Sequence, residues 1–464
     1  MNTTTVLTIC IAALHLLGVL AAMHAVTHSR TPQGAVGWAL GLLLLPYVTL
    51  LPYLYLGSSR FLGYHMGHPL PGVPPGPETM GSVAIERECE RYAAISALQH
   101  RPFRGGHQLR LLVGGEAAFE SMLTAMAAAE QCLLVQFFII HDDMLGRRMQ
   151  KILLRRAAAG VRVCVLFDGV GSHALPQHYV DTLRAGGVDI HRFATHRWRN
   201  RFQLNFRNHR KIVVVDGARG FVGGLNVGDE YLGLKPPLAP WRDTMLELRG
   251  PAVADLQKLF ADDWQWITGL RPPSLPAPAS DGEASVLVVA SGPADRLETG
   301  SLYFTAAINA ARERVWLSTP YFVPDTAVRS ALQLAALRGV DVRILIPSRP
   351  DHHTVFLAST LHAHHALRAG IQVYRYQPGF LHQKALLIDH DSAAVGSMNL
   401  DSRSFRLNFE VGALVVDAAF AGQMEAMLLE DFSHALAITA SEYHAAPYLR
   451  RVAMHVARLF DPLL

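Results

Sequence analysis

Repetition constrains this chain more than any other feature, because three stretches recur in the same order about 180 residues further along. AAAEQCLLVQFFI, Ala127 to Ile139, reads as a helix end feeding an apolar strand, and AARERVWLSTPYFVPD, Ala310 to Asp325, has the same form. RRAAAGVRVCVLFDG (Arg155 to Gly169) matches LAALRGVDVRILIPS (Leu334 to Ser348), each a helix, a glycine C-cap and a β-branched strand. NHRKIVVVDGARGFVGGLN (Asn208 to Asn226) matches LHQKALLIDHDSAAVGSMN (Leu381 to Asn399). Alternating apolar strands and helices predict a mixed or parallel sheet with helices on its faces. Two such α/β copies on one chain most simply pack about a pseudo-twofold axis that brings equivalent strands together.

The third match carries chemistry. Both copies hold H-x-K-x4-D-x6-G-x2-N: His209, Lys211, Asp216, Gly223 and Asn226, then His382, Lys384, Asp389, Gly396 and Asn399. Ionisable groups at the mouth of an apolar strand such as Ile212–Val215 are costly unless they are paired or employed. A half-site from each copy explains them. Histidine and lysine at i and i+2 share a face of an extended strand, whereas the aspartate at i+7 has the opposite parity and belongs behind the strand or on the following turn. Two histidines and two lysines that converge suit phosphoryl transfer. A neutral imidazole attacks phosphorus, the second imidazole protonates the leaving oxygen, and the lysines and Asn226 and Asn399 hold the non-bridging oxygens. No metal is required. Each imidazole needs an acceptor to fix its tautomer. Asp243 in WRDTMLEL and Glu410 in NFEVGALV, each ahead of an apolar strand, are the candidates favoured over Asp216 and Asp389.

Charged residues make up only 17% of the chain and mean hydropathy is positive, which points to membrane segments. Val6 to Val26 and the uncharged Ala35 to Leu56 are each long enough to cross a hydrocarbon core of about 30 Å, and together they predict a helical hairpin. MNTTT lacks the basic start of a cleaved signal, and no small-residue cleavage site follows. Arg30 and Arg60 leave the positive-inside balance nearly even, while four scattered cysteines, Cys10, Cys89, Cys132 and Cys164, suggest no disulfide framework and favour a reducing cytoplasm. Proline-rich breaks occur at Pro69 to Pro77 and at Arg271 to Ser285. The basic, aromatic run Arg197 to Lys211 suits anionic headgroups beside a membrane, or nucleic acid. The histidine cluster His352, His353, His362, His364 and His365 has no thiolate beside it and no counterpart in the first copy, so it predicts no zinc site. Phosphate-binding glycine loops are absent, so no nucleotide cofactor is implied.

At the motif residues the chain resembles the phospholipase D superfamily, whose hallmark is a duplicated HKD motif. Within it the chain looks like the bacterial cardiolipin synthases, through NHRKIVVVDG, GGLNVGDEYLG, WRDTMLELRGPAV, STPYFVPD, RGVDVRILIPS, LHQKALLID and GSMNLDSRSFRLNFE. The resemblance implies two phospholipase D-like α/β/α domains forming a pseudo-twofold dimer, preceded by the transmembrane hairpin. The expected division is a hairpin at 1–60, a connecting segment at 61–106, a first domain at 107–271, a linker at 272–284 and a second domain at 285–464. It also implies a catalytic set of His209, Lys211, Asp216, His382, Lys384 and Asp389, although strand parity assigns the two aspartates a structural place. The implied reaction transfers a phosphatidyl group between two phosphatidylglycerol molecules through a phosphatidyl-histidine, with His209 as nucleophile and His382 as acid and base. No cofactor, metal or nucleic acid is implied. The implied location is the bacterial cytoplasmic membrane, multi-pass, with the catalytic domains in the cytoplasm. Two departures stand out: Gln383 occupies the variable place of the second motif, and Gly223-Gly224 faces Gly396-Ser397. Competing readings are a hydrolase or a transphosphatidylase using another donor or acceptor, a nuclease of the same superfamily, and a lipid-binding scaffold with a vestigial site.

Overall fold

Residues 2–29, 32–57, 61, 64, 89–193 and 205–464 are described by the computed structural model. The proline-rich stretch at 69–77, Arg30, Arg60 and the 197–204 part of the basic run lie outside them. The chain forms two units, residues 1–64 with 194–206, and residues 65–193 with 207–464.

In the first unit the helix Thr3–His28 is long and apolar enough to cross a membrane. The second expected span is broken, which corrects the expectation of one continuous helix from Ala35 to Leu56: two shorter helices, Pro32–Leu44 and Pro46–Leu56, take its place. Pro46 has no N–H to donate and disfavours helical geometry at the residue before it, and Leu45 accordingly leaves the helical region at φ −137° and ψ 58°. Thr49 bridges the break, its hydroxyl donating to the Gly41 and Leu45 carbonyls at 2.8 Å. The three helices pack through Ala22, Ala25 and Leu42, with Trp38, Leu50 and Tyr53 around them. Gly18 makes the approach possible, since a Cβ there would lie 2.4 Å from the Leu42 carbonyl oxygen.

The second unit displays the repeat. Its described strands build a sixteen-stranded sheet whose centre is the antiparallel pair Arg104–Val113 and Ala284–Ser291, one strand from each copy. Outward from the centre on one side run Thr244–Arg249, Arg219–Gly223, Ile212–Val215, Cys132–Phe137, Arg162–Asp168 and Asp189–Phe193. On the other side run Asn408–Val416, Ser392–Gly396, Ala385–Ile388, Arg314–Ser318, Asp341–Pro347 and Gln372–Tyr376, with Ala435–Ala437 at the edge. The inner strands of each half pair antiparallel and the outer ones parallel, except that the edge strand Ala435–Ala437 runs antiparallel to its neighbour. Outer strands such as Cys132–Phe137 are buried at every position, as expected where helices cover both faces. Equivalent helices even start alike: Asp143 caps Met144–Ala158 by accepting from the Gly146 amide, and Asp325 caps Thr326–Leu337 by accepting from the Val328 amide. Between the copies, residues 271–283 form no regular element, yet Leu275 is clasped through its own amide and carbonyl by the Gln257 side chain.

Candidate active site

Each motif histidine sits just before its strand, on a short segment borrowed by the other copy. Arg207–Asn208 pairs in parallel with the start of Asn408–Val416, and the His209 amide donates to the Phe409 carbonyl at 2.9 Å. Phe380–Leu381 pairs in parallel with Trp241–Arg242, and the His382 amide donates to the Arg242 carbonyl at 2.7 Å. This exchange aims each imidazole at a carboxylate from the opposite repeat. His209 Nδ1 lies 2.9 Å from Glu410 Oε2, and His382 Nδ1 lies 2.7 Å from Asp243 Oδ2. Asp243 follows His209 and Glu410 follows His382 along the chain, but the fold crosses the pairs. With Nδ1–H donated to a carboxylate, the Nε2 lone pair of His209 is left for chemistry, and that of His382 meets the Lys384 ammonium.

Both histidines and both lysines are nearly excluded from solvent, with His209 8% and His382 7% exposed. Lys211 Nζ donates to the His209 carbonyl at 2.6 Å, and Lys384 Nζ to the His382 carbonyl at 2.6 Å while also lying 3.0 Å from His382 Nε2. Burial disfavours the charged form of every base here. It lowers His209 to about 4, against the opposing pull of Glu410, and it lowers His382, with Lys384 adding to the effect. It carries Lys384 down to about 8 and Lys211 well below the ordinary lysine value. Burial works the other way on Glu410, but His209, Lys211 and the Ser397 hydroxyl outweigh it and hold the carboxyl below its usual range. The four bases and the two carboxylates therefore share one buried cluster. Aromatic rings wall it, Phe138 edge-on to His209 and Trp241 tilted over His382, each with centroids 5.0 Å apart.

Asp216 and Asp389, grouped with the catalytic set by the motif, stand away from this cluster, as strand parity predicts. Both adopt left-handed backbone at φ 50° and 51° on the turn after their strands. Asp216 accepts the amides of Glu130, Gln131 and Cys132, each at 2.8 Å, and Asp389 accepts those of Arg312, Glu313 and Arg314 and the guanidinium of Arg91. They anchor the start of the neighbouring antiparallel strand, Cys132–Phe137 in the first copy and Arg314–Ser318 in the second. The asparagines differ from one another. Asn226 accepts from the Ile139 amide and donates to the Tyr231 hydroxyl, so both ends of its side chain are engaged. Asn399 keeps a buried side-chain oxygen without a hydrogen-bond partner among the described residues.

The two departures from the repeat acquire reasons. A Cβ on Gly224 would stand 2.1 Å from Asp243 Oδ1, so glycine leaves room for that carboxylate, whereas at the equivalent place the Ser397 hydroxyl donates to Glu410. Gln383 and its equivalent Arg210 both fasten the motif to the helix behind: Gln383 donates to Asp431 at 2.9 Å, and the fully buried Arg210 pairs with Asp263 at 2.9 Å. Asp263 also accepts from Gln136 and Asn208. Sequence reasoning missed Asp263 and Asp431, whose only signal is an acid on the otherwise buried face of each helix, Val253–Thr268 and Ala418–Ser433. It also missed Asp168, which accepts the amides of Val170, Gly171 and Asn208 at 2.8 Å, and Asp401, which burial pushes up to about 6.

Residues 122–264 and 304–432, one block in each repeat, match the family described as cardiolipin synthase, PLD-like domain. The chain belongs to this family. Cardiolipin synthase A of Pseudomonas aeruginosa is 54% identical over 480 aligned residues, covering 100% of this chain and 97% of the relative. Cardiolipin synthase A of Pseudomonas putida is 53% identical over 467 residues, covering 97% of each. Among solved structures, phosphatidylserine synthase of Haemophilus influenzae superposes with a TM-score of 0.62 at 15% identity, covering 81% of this chain and 100% of that one, a likeness of fold alone.

Proposed function

We propose that this member of the family is a membrane-bound phosphatidyltransferase that converts two phosphatidylglycerol molecules to cardiolipin and glycerol. The observation that carries the reading is the crossed pair of imidazoles, each with Nδ1 on a buried carboxylate of the other repeat and a lysine beside it. His209 Nε2 attacks phosphorus, the bond from phosphorus to the glycerol oxygen breaks, and His382 gives its proton to the departing oxygen. A glycerol hydroxyl of a second phosphatidylglycerol then loses its proton to His382 and attacks phosphorus, the phosphorus–nitrogen bond breaks, and His209 is regenerated. The anionic phosphodiester supplies the countercharge that restores a proton to His382 and full charge to the lysines. Roles follow: Lys211 and Lys384 hold the non-bridging oxygens, Asn399 offers a further polar contact, Asn226 acts as a brace, and Glu410 and Asp243 orient His209 and His382. The working division is a hairpin at 1–60, domains at 107–271 and 285–464, and connecting segments at 61–106 and 272–284. The hairpin seats the chain in the bacterial cytoplasmic membrane with the domains on the cytoplasmic side. Turnover of labelled phosphatidylglycerol in detergent with EDTA tests this. Cardiolipin plus free glycerol is expected, lost by at least roughly a thousandfold in His209→Ala or His382→Ala. Phosphatidic acid as the sole product would make the enzyme a hydrolase, and inactivity of the wild type would sink the proposal.

A further inference from the structure

The helix Tyr448–Arg458 carries an apolar stripe that the fold does not use. It packs inward through a narrow face, Met454 and Ala457, the latter against Val323 and Ala358. Tyr448, Leu449, Val452 and Val456 face solvent instead, followed by Leu459 and Phe460, with Tyr448 72%, Leu449 79% and Leu459 78% exposed. At 100° per residue Tyr448, Leu459, Val452, Val456 and Leu449 fall within one arc of about 100°. Arg450, Arg451 and Arg458 lie off that arc, and no acidic residue occurs from Pro447 to Phe460. Single exposed apolar side chains need no explanation, but a contiguous stripe on a helix that carries arginines and no acid does.

We propose that this stripe docks on the surface of an anionic lipid bilayer, lying in the interface with its arginines among the headgroups. Apolar side chains on one arc, arginines elsewhere around the helix and no acid within it are what an interfacial helix presents to such a surface. The position gives docking a purpose. Beyond the helix, the carbonyls of Leu463 and Leu464 accept from the Arg403 guanidinium and the Arg403 amide. Arg403 belongs to Ser402–Arg406, the short helix between Asn399 and the Glu410 strand. The helix also packs on His353–Leu367, just beyond Asp351, whose carboxylate accepts from the Tyr321 hydroxyl. A helix seated on lipid therefore holds the second half-site next to its substrate, an inference that rests on the lipid-transfer reading above.

The test reads contact rather than turnover. The full chain, with photoreactive benzoylphenylalanine in place of Val456, is reconstituted in nanodiscs of phosphatidylglycerol and phosphatidylcholine and irradiated. Lipid adducts on the protein are expected, at least roughly tenfold above those from the same group at Leu337, which is 76% exposed on the helix Thr326–Leu337. Adding Arg450→Glu and Arg458→Glu should reduce that yield severalfold. Adducts only to a second copy, or no excess over Leu337, would overturn docking even if the wild type makes cardiolipin. Excess lipid adducts in a chain without turnover would retain docking and overturn the transfer reading instead.

Discussion

At the scale of single residues, the two halves of the site are equivalent without being identical. The first copy pairs a small residue with a short acid, Gly224 with Asp243, and the second pairs a hydroxyl with a longer one, Ser397 with Glu410. Copying serine into the first half should therefore fail. Gly224→Ser would displace the Asp243 carboxylate from His382, and misplacement by about 1 Å predicts roughly a hundredfold loss of turnover with folding retained; steady-state rates beside circular dichroism decide it. Burial of a neutral imidazole sets a second expectation. His209 titrates at about 4 when folded and at the ordinary histidine value of 6.5 when unfolded, so between those values the unfolded chain binds more protons. The stability contributed by keeping His209 neutral is present above 6.5 and is lost as pH falls towards 4. A His209→Gln variant lacks that loss, so its melting temperature should gain on the wild type as buffers are taken from pH 7 to 5. An unchanged difference across that range would refute the depressed value.

At the scale of elements, the motif strands are positioned from behind. The ion pair of Arg210 and Asp263, both fully buried, ties the segment bearing His209 to the helix Val253–Thr268, and Asp263 serves Gln136 and Asn208 as well. Stripping one partner from a buried pair typically costs about 3–5 kcal/mol, because the remaining charge stays desolvated. Asp263→Ala should thus lower the unfolding free energy of the catalytic unit by that order, measured by denaturant titration, whereas Arg210→Met with Asp263→Leu should recover much of it. In the hairpin unit the same scale shows where sequence pattern falls short. Ala35 to Leu56 is uniformly apolar, so hydropathy reads one span, but Pro46 removes a backbone donor and divides it into Pro32–Leu44 and Pro46–Leu56.

At the scale of the whole molecule, neither repeat holds a complete half-site. Each histidine takes its orienting carboxylate from the other copy, so a double-mutant cycle should find His209 coupled to Glu410 by roughly 0.5–3 kcal/mol and uncoupled from Asp243, with stability as the readout. Coupling to Asp243 instead would contradict the crossing. By itself the sequence determined the duplication, the alternation of strands and helices, the motif residues and the outward parity of Asp216 and Asp389. Those follow from local periodicity and from a pattern written twice. It also offered Asp243 and Glu410 as acceptors, but only the tertiary structure decided which histidine each one serves. The choice depends on Arg207–Asn208 and Phe380–Leu381 crossing to pair with strands of the opposite copy, contacts between residues some 140 to 200 positions apart. Spacing along a chain carries no information about such pairings, because they are set by how the two sheet halves meet and bury their shared charges.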